Sequence, residues 1–371
     1  MISSQAFSIA NFRGPLIREL VARGVVVHAL APDFDADTRA RVAALGAHPV
    51  DYSLSRTGLN PLRDLWDVVR LRRVLKRLSP DASLAYFIKP VIYGSLAAWA
   101  AGVPARYSMI EGLGYVFVEG GSAKPYRRAL RLAVLHLYKC AMKANRRVLF
   151  LNPEDLKQFV EGKTVTAAQA AQIDGIGVDL DHYAPVPPVL EPVTFVLIAR
   201  MLREKGVYDF IEAARIVRGR FPSARFMLVG GTDPNPGSVA KSHLEGWVAE
   251  GLIEWSGQVS DVRPWIARAS VFVLPSYYRE GVPRSNQEAM AMGRPLITTD
   301  SVGCRETVVD GVNGYLVPVR NPDALAATMA RFIESPELIR QMGREGMRLA
   351  NERFDVRIIN REILAILGLS E

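Results

Sequence analysis

The sequence predicts an α/β protein made of two doubly wound domains. The chain has 371 residues, more than one ordinary hydrophobic core accommodates. Short apolar runs rich in β-branched residues alternate with helical segments in both halves, the pattern of a mostly parallel sheet covered by helices. A stiff, proline-rich segment at residues 185–192 separates the halves. We therefore expect one domain at residues 1–184 and a second at residues 193–354.

The beginning of the chain departs from this pattern. Only Met1 and Ile2 precede the polar residues 3–5, whereas a doubly wound domain opens on a longer apolar strand. We expect most of the first strand to be missing; a shorter strand with an unusual edge is the alternative. The elements that follow in this half are predicted helices at 12–24, 38–45, 61–78, 93–101 and 153–161 and predicted strands at 25–32, 83–88, 106–110 and 148–151.

The second half opens on an apolar strand at residues 193–198 and repeats the alternation. The pattern predicts further strands at 225–229, 253–256 and 270–275 and helices at 207–220, 238–250, 262–269, 287–292, 322–334 and 336–354.

The composition indicates a folded protein that does not span a membrane. Hydrophobic residues make up 49% of the chain and charged residues 23%, as in globular proteins. The start lacks the basic and apolar regions of a signal peptide, and Gly and Pro interrupt the best apolar run, residues 91–105. Cys140 and Cys304 lack the spacing of metal ligands, so we expect two free, buried thiols in a reducing cytoplasm.

The basic charge is unevenly placed. The net charge is +8, and the whole excess of Lys and Arg over Asp and Glu lies in residues 1–185. This asymmetry points to a membrane surface or a nucleic acid as the partner of that half. Residues 124–147 are expected to form a basic helix in which Leu132 and Leu135 fall among cations, an arrangement suited to an anionic membrane interface. The cations that we assign to this interface are Arg127, Arg128 and Arg131. An ordinary surface helix is the alternative, and the absence of interleaved aromatic residues argues against nucleic acid.

Residues 277–283 are predicted to form a loop with the features of a ligand site. A buried strand leads into it and a helix at 287–292 follows, so the loop lies at the carboxyl end of a strand, where ligands bind in open α/β sheets. The helix start offers N–H groups and a positive dipole end to a phosphate, with Glu280 and Glu288 on either side. Ser285 and Glu288 also fit a capping box, in which Glu288 only ties down its own helix.

A pair of cations follows another strand end. Arg200 and Lys205 come directly after the apolar residues 195–199, a place where they can hold a diphosphate. Solvated surface charges are the alternative. The sequence beside them offers no ligand set for Mg²⁺ or Mn²⁺, so we expect neither a metal nor another cofactor.

These features together resemble the signature of glycosyltransferase family 4. The resemblance rests on Glu280 followed by Glu288 within the runs Pro275–Arg284 and Glu288–Gly293. The family consists of retaining enzymes that use nucleotide sugars and have the GT-B fold, in which two Rossmann-like, doubly wound domains face each other across a cleft. The resemblance also implies that residues 355–371 form a C-terminal helix that packs back on the first domain.

The resemblance implies a role for each of the four charged residues singled out in the second half, namely Arg200, Lys205, Glu280 and Glu288. Arg200 and Lys205 hold the donor diphosphate in place of a metal ion and stabilise the charge of the leaving group. Glu280 orients the transferred sugar, and Glu288 binds the ribose hydroxyls as an acceptor. Further donor contacts are implied at Gly230, Val259, Gly281, Val282 and Pro283.

The first domain is expected to bind the acceptor. Glu111 stands where relatives carry Thr or His, so its carboxylate either takes a base role or weakens turnover; the leaving phosphate is an alternative base. Lys89, Arg13 and Gly14 are expected at edges facing the cleft, as candidates for binding the diphosphate of an acceptor.

The resemblance to one subgroup runs through residues 11–16, 89–90, 112–115, 277–284, 298–300 and 303–307. That subgroup adds N-acetylgalactosamine or galactose, α1,3, to a sugar on undecaprenyl diphosphate. We therefore expect transfer of a hexose or N-acetylhexosamine from a UDP-sugar to a lipid-diphosphate-linked sugar, in surface polysaccharide or glycan assembly, at the inner face of the cell membrane.

A GT-B nucleotide-sugar epimerase and a non-catalytic nucleotide-binding module are the alternatives. The basic helix argues against the first, and the lack of a Gly-x-Gly-x-x-Gly run opening either domain argues against the second.

Overall fold

A computed structural model describes residues 1–55, 61–113, 125–233, 235 and 237–369, with the main chain alone at residues 61 and 125–131. The chain divides into two compact units, residues 1–176 with 357–371 and residues 177–356. The proline-rich segment lies within the second unit, where Arg294 donates hydrogen bonds to the carbonyl groups of Val186 and Pro187. The boundary therefore falls earlier than the predicted linker.

The first unit contains helices and strands in regular alternation. In chain order they are α1 (Ala6–Ala22), β1 (His28–Ala31), α2 (Ala36–Ala44), β2 (His48–Asp51), α3 (Pro61–Leu78), β3 (Ala82–Tyr86), a π-helix (Pro90–Gly94), α4 (Ser95–Ala101), β4 (Ala105–Ile110), α5 (Pro125–Met142), β5 (Arg147–Phe150), α6 (Pro153–Glu161), β6 (Ala170–Gln172) and, from the end of the chain, α13 (Val356–Leu367).

The named strands of this unit pair in parallel. β1 pairs with β2, and β3, β4, β5 and β6 pair in that order. Ile2 forms bridges with both Leu30 of β1 and Ala85 of β3, and its side chain is buried. This single residue therefore stands between β1 and β3, where the sequence predicts a shortened first strand.

Helix α1 begins well before its predicted start at residue 12. The Ala6 N–H group donates to Asp33 Oδ1 at 2.7 Å, which satisfies one of the free donors at the helix start. Pro15 consequently lies within the helix and not in its first turn. Because the accepting carboxylate lies 27 residues further along the chain, the local sequence does not reveal this start.

Helix α13 belongs to the first unit. The Tyr107 hydroxyl of β4 donates to the Leu367 carbonyl at 3.0 Å, and Arg23 donates to the Leu369 carbonyl at 2.9 Å. The end of the chain is thus joined to the beginning of the same unit by side-chain hydrogen bonds.

The second unit is a doubly wound domain. Its elements are β7 (Thr194–Ile198), a 3₁₀ turn (Arg203–Lys205), α7 (Val207–Arg220), β8 (Arg225–Val229), α8 (Lys241–Ala249), β9 (Glu254–Trp255), α9 (Arg263–Ala267), β10 (Val271–Leu274), α10 (Arg284–Ala291), β11 (Leu296–Thr299), a 3₁₀ turn (Arg305–Thr307), β12 (Gly314–Val317), α11 (Pro322–Glu334), α12 (Glu337–Leu349) and a π-helix (Ala350–Phe354).

Its six-stranded parallel sheet has the order β12-β11-β10-β7-β8-β9. The central strands β7 and β10 are buried on both faces and consist of apolar residues apart from Thr194, which is also buried. The direction of strand addition reverses between β7 and β10, which pair directly. Such a reversal opens a crevice at the carboxyl ends of the two strands, the usual ligand site of a doubly wound sheet.

Two expectations from composition are tested by this structure. Among the helices of the described ranges, none is both long and apolar enough to cross a bilayer. The cysteines are free, but the prediction that both are buried is wrong for Cys140, which is exposed on α5. Helix α5 turns Tyr138 and Ala141 toward the core instead, which leaves Cys140 on its solvent side.

Candidate active site

Two loops meet where β7 and β10 end. The turn Arg203–Lys205 follows β7, and the carbonyl of Glu204 within it accepts a hydrogen bond from the Tyr277 N–H group at 2.9 Å. Gly206 closes the turn at a φ of +77°, and a Cβ atom there would collide with the carbonyl of Pro275. Glycine therefore permits the close approach that joins the loops.

Lys205 and Glu280 face each other across this contact. Lys205 Nζ lies 2.5 Å from Glu280 Oε1, and the Ser276 hydroxyl donates to the same oxygen at 2.9 Å. The two charged side chains are only 14% and 11% exposed. The ring centre of Tyr278 lies 5.3 Å from Nζ, so the ammonium is enclosed by a carboxylate and an aromatic face.

Arg200 belongs to the same electrostatic cluster. Its Nη1 lies 3.0 Å from Asp233 Oδ2 in the loop after β8. Burial by itself lowers the pKa of Arg200, but Tyr278, Asp233 and Glu280 together outweigh burial and raise that pKa. The cations predicted to hold a diphosphate and the carboxylate predicted to orient a sugar therefore lie near one another.

Helix α10 presents its start next to this cluster. The helix begins at Arg284 after Pro283, and no side chain caps it. The predicted alternative of a capping box between Ser285 and Glu288 is therefore wrong. Glu288 Oε1 accepts instead from Arg284 Nε at 2.8 Å, one turn earlier in the helix.

The segment before the second sheet also reaches Glu288. Burial, followed by the charge of Glu288, raises the pKa of the Tyr183 hydroxyl, which is hydrogen-bonded to Glu288 and to Arg284. The carboxylate predicted to bind a ribose is thus held in place by a guanidinium and a phenol.

The predicted main-chain donor contacts lie along the same edge of the sheet. Gly230 follows β8 at a φ of +141°, and a Cβ atom there would collide with the carbonyl of Ala199. Its N–H group donates to the Gly257 carbonyl at 2.9 Å, so that N–H group is engaged within the protein. Val259, beyond β9, is half-buried, and Gly281, Val282 and Pro283 are buried just before α10.

The first unit contains a second polar cluster. Arg13 of α1 forms a buried ion pair with Glu111, directly after β4, and its guanidinium carbon lies 4.5 Å from the ring centre of Tyr86 at the end of β3. Gly14 does not lie at an open edge as predicted. It is buried within α1, where the Leu45 side chain lies 3.6 Å from the position that a Cβ atom would take.

Lys89 is also paired with a carboxylate. Its Nζ lies 2.8 Å from Asp64 Oδ1 of α3, and the Tyr93 hydroxyl donates to Asp64 Oδ2 at 2.8 Å. Burial, followed by the hydrogen bond to Asp64, raises the pKa of Tyr93. Both cations predicted for acceptor binding therefore have a carboxylate partner in this structure.

The predicted membrane residues of α5 are described only in part. The side chains of Arg127, Arg128 and Arg131 lie outside the described residues. Leu132 is 61% exposed, as expected, but Leu135 packs against the hydrophobic core, so its predicted exposure is wrong. The buried face of α5 centres on Tyr138, Ala141 and Met142, and this brings Leu135 to its edge.

Sequence reasoning missed several partners in these clusters. They are Asp64, Tyr93, Tyr183, Asp233, Ser276, Tyr278 and Arg284. Only Arg284 carried a local signal, since it lies four residues before Glu288 and just ahead of the helix predicted at residues 287–292. In the described ranges, no group of three or more His, Cys, Asp or Glu side chains is arranged to hold a metal ion.

Comparison with known proteins shows what this chain is similar to. Residues 192–335 match the family described as glycosyl transferases group 1. The chain is 28% identical to the N,N'-diacetylbacillosaminyl-diphospho-undecaprenol alpha-1,3-N-acetylgalactosaminyltransferase of Campylobacter jejuni, over 98% of this chain and 96% of that protein. It is 24% identical to the UDP-Gal:alpha-D-GlcNAc-diphosphoundecaprenol alpha-1,3-galactosyltransferase of Escherichia coli, over 75% of this chain and 72% of that protein.

A solved structure shares the fold of the whole chain. The crystal structure of Anabaena HepE in complex with UDP-glucose superposes with a TM-score of 0.77 at 17% identity, covering 99% of this chain and 98% of that one. The fold is GT-B, and the protein is a glycosyltransferase. Residues 192–335 form its glycosyl transferases group 1 domain.

Proposed function

We propose that this glycosyltransferase moves a hexose or an N-acetylhexosamine from a UDP-sugar to a sugar linked to a lipid diphosphate, with retention and in an α1,3 linkage. The observation that carries the proposal is the contact between Lys205 and Glu280, with Arg200 beside them, at the reversal point of the second sheet. The names of the Campylobacter jejuni and Escherichia coli relatives support the acceptor class, and UDP-galactose in the second name supports the donor class.

Donor binding exchanges the partners of the cations. The diphosphate takes the Lys205 ammonium and the Arg200 guanidinium as charge-assisted hydrogen-bond donors. Glu280 is thereby released from Lys205 while Ser276 continues to orient its carboxylate. The freed carboxylate then accepts hydrogen bonds from the hydroxyl groups of the sugar. The proposal assigns no resident metal, because these cations neutralise the diphosphate.

The same cations stabilise the transition state. Breaking the bond between the anomeric carbon and the phosphate oxygen moves negative charge onto the departing UDP and leaves an oxocarbenium-like sugar. Preorganised charges in a partly buried site stabilise such developing charge at little reorganisation cost. The N–H groups at the start of α10 add donors for a phosphate oxygen.

The ribose is bound by Glu288. Arg284 and Tyr183 hold its carboxylate in one orientation before the donor arrives. Fixing a ligand group in advance lowers the entropy that binding must overcome.

The acceptor is bound by the first unit. Lys89 and Arg13 are candidates for its diphosphate, and each then exchanges a carboxylate for a phosphate partner. Glu111 is engaged by Arg13, so a base role would require its release. The leaving phosphate needs no such release, and it is the base that we propose for the acceptor hydroxyl.

A lipid-linked acceptor places the reaction at a membrane, and we propose peripheral attachment at the inner face of the cell membrane during surface polysaccharide or glycan assembly. The exposed Leu132 on the basic helix α5 supports contact with anionic lipid.

The direct test is incubation with a panel of nucleotide sugars and a short lipid-diphosphate-linked sugar, followed by mass spectrometry. The proposal expects the lipid product to gain the mass of one hexose or N-acetylhexosamine with a UDP-sugar. Conversion of the nucleotide sugar without any acceptor into an isomer of the same mass, separated from it by chromatography, would contradict the proposal in favour of an epimerase. Tight UDP binding with no product from any donor would favour a non-catalytic module.

A further inference from the structure

Helix α3 carries apolar side chains on the side that faces away from the core. Leu62, Leu65, Trp66 and Val69 are 81%, 62%, 49% and 37% exposed. Their positions at i, i+3, i+4 and i+7 form one continuous stripe along the helix. A globular protein ordinarily buries such a stripe, because burial removes large apolar side chains from water.

Another face of the same helix packs against the core of the first unit. Leu71 and Leu75 are buried there, with Val68 and Val74 packed against the same cluster. At about 100° per residue, these side chains lie on the opposite side of the helix from the exposed stripe. The stripe is therefore additional to the residues that hold α3 on the unit.

Basic residues flank the exposed stripe. Those that are exposed are Arg63, Arg70, Arg73, Lys76 and Arg77. The guanidinium carbon of Arg70 lies 3.2 Å from the ring centre of Trp66, so one face of that indole is covered by a cation.

The acidic residues of α3 are turned inward. Asp64 is paired with Lys89 and Tyr93, and Asp67 accepts hydrogen bonds from the Ser53 hydroxyl at 2.5 Å and the Ser55 N–H group at 3.1 Å. Both carboxylates are buried. The exposed side of α3 is consequently apolar and cationic without an acidic residue of the helix, a composition that complements an anionic surface.

We propose that α3 is a membrane-docking helix, whose exposed stripe enters the interface of an anionic bilayer while its cations contact lipid phosphates. Apolar residues between cations on one helix face are the pattern of interfacial helices, with an aromatic residue at the headgroup level. A nucleic acid gives no reason for the exposed leucines, and a second copy of this basic chain would bring like charge to the same surface. The inference extends the proposed lipid-linked acceptor but rests on the surface of α3 alone.

Vesicle sedimentation of the full chain tests this assignment. Vesicles of phosphatidylcholine alone are compared with vesicles that also contain phosphatidylglycerol, at low and at high salt. We expect binding to the anionic vesicles and weaker binding at high salt. The variant Leu62→Gln/Leu65→Gln/Trp66→Gln is expected to bind the anionic vesicles at least about tenfold more weakly.

Controls separate α3 from other surfaces. Ile216→Gln/Val248→Gln/Val309→Gln removes exposed apolar side chains from the second unit, and Leu132→Gln removes an exposed one from α5. We expect the triple control to bind as the parent does and Leu132→Gln to lose less than the α3 variant. Equal binding by the parent and a folded α3 variant overturns the assignment, as does the absence of binding by the parent.

Two further measurements make the result unambiguous. Brominated lipids are expected to quench tryptophan fluorescence in the parent and less in Trp66→Phe, whereas equal quenching would place another tryptophan in the lipid. If the α3 variant changes the sedimentation velocity of the protein without vesicles, the stripe is an interface between copies and the membrane assignment fails. Glu280→Gln is expected to bind vesicles normally, so loss of sugar transfer and loss of docking are distinguished.

Discussion

The ammonium of Lys205 lies 2.5 Å from a carboxylate oxygen of Glu280, although the two residues belong to different loops 75 positions apart in the chain. The loops meet because β7 and β10 are neighbours at the point where strand order reverses. The cation that we propose for the donor diphosphate and the anion that we propose for the sugar hydroxyls are thereby kept together in a largely buried pair. Breaking such a pair is costly unless a new partner takes over.

Replacement of Lys205 by Met is expected to weaken binding of the UDP-sugar by about tenfold to a hundredfold, because a charge-assisted bond to the diphosphate is lost. Calorimetric titration with UDP measures this. Lys241→Met is the matched control in the same unit, since Lys241 is largely exposed and pairs with Glu245 on the surface of α8. Unchanged UDP affinity in a folded Lys205→Met variant would remove Lys205 from the donor site.

Replacement of Tyr183 by Phe is expected to weaken UDP binding several-fold, because the hydroxyl that helps to hold Glu288 is removed. Because Glu288 is expected to contact the ribose hydroxyls, the substitution should weaken the binding of 2′-deoxy-UDP less than the binding of UDP. Titration of both nucleotides with parent and variant gives the comparison. Equal loss for the two nucleotides would mean that Tyr183 acts on the fold and not through the ribose carboxylate.

The thiols are expected to differ in reactivity. Burial, followed by the charge of Glu280, raises the pKa of Cys304 to about 11, whereas Cys140 is exposed. A disulfide reagent at pH 8 should therefore modify Cys140 quickly and Cys304 only after unfolding. Peptide mass mapping identifies the modified residue, and rapid modification of Cys304 in the native protein would contradict the described packing.

The raised pKa of Cys304 also gives a pH dependence. In the unfolded chain this thiol ionises near its ordinary value of 9.0, whereas the folded state keeps it neutral to about 11. The folded state thus binds the proton more tightly, and its contribution to stability is complete below pH 9 and is lost between pH 9 and 11. Chemical unfolding at a series of pH values measures the free energy of unfolding. In Cys304→Ala this free energy should lack the part of its decrease between pH 9 and 11 that the thiol causes. An identical decrease in the parent and the variant would contradict this role of Cys304.

Arg294 is expected to be a stability residue. Its buried guanidinium donates to the carbonyl groups of Ile266, Met292 and Val186, and burial lowers its pKa to about 10. Arg294→Met leaves these acceptors without their donors and is expected to cost about 3 kcal/mol or more of unfolding free energy. Urea unfolding measures the loss, with Arg344→Met, an exposed position on α12, as control.

The sequence predicts the elements around the proposed donor site better than the contacts between their side chains. Strand ends, glycines and the run around Glu280 are local signals, so the sequence alone makes Arg200, Lys205 and Glu288 candidates, and the structure brings Arg200 and Lys205 close to Glu280. Asp233 gave no such signal, because its contact with Arg200 depends on how two loops fold back on the sheet.

The first unit shows the same limit. Asp64 meets Lys89 across 25 residues, and neither the spacing nor the residue types predict that pairing. Periodicity revealed that α3 is a helix, but it has two apolar faces, and only the packing of Leu71 and Leu75 shows which one turns inward. Leu135 illustrates the reverse error, since it is expected to be exposed but is partly buried and packs against the core cluster.

The most direct test of the donor site is a double-mutant cycle on kcat/KM for sugar transfer, with Lys205→Met, Glu280→Gln and the double variant. If the two residues serve one donor through their shared contact, each single variant slows transfer and the double variant is little slower than the worse single one. Independent effects that multiply in the double variant, or a Glu280→Gln enzyme as fast as the parent, would contradict the account.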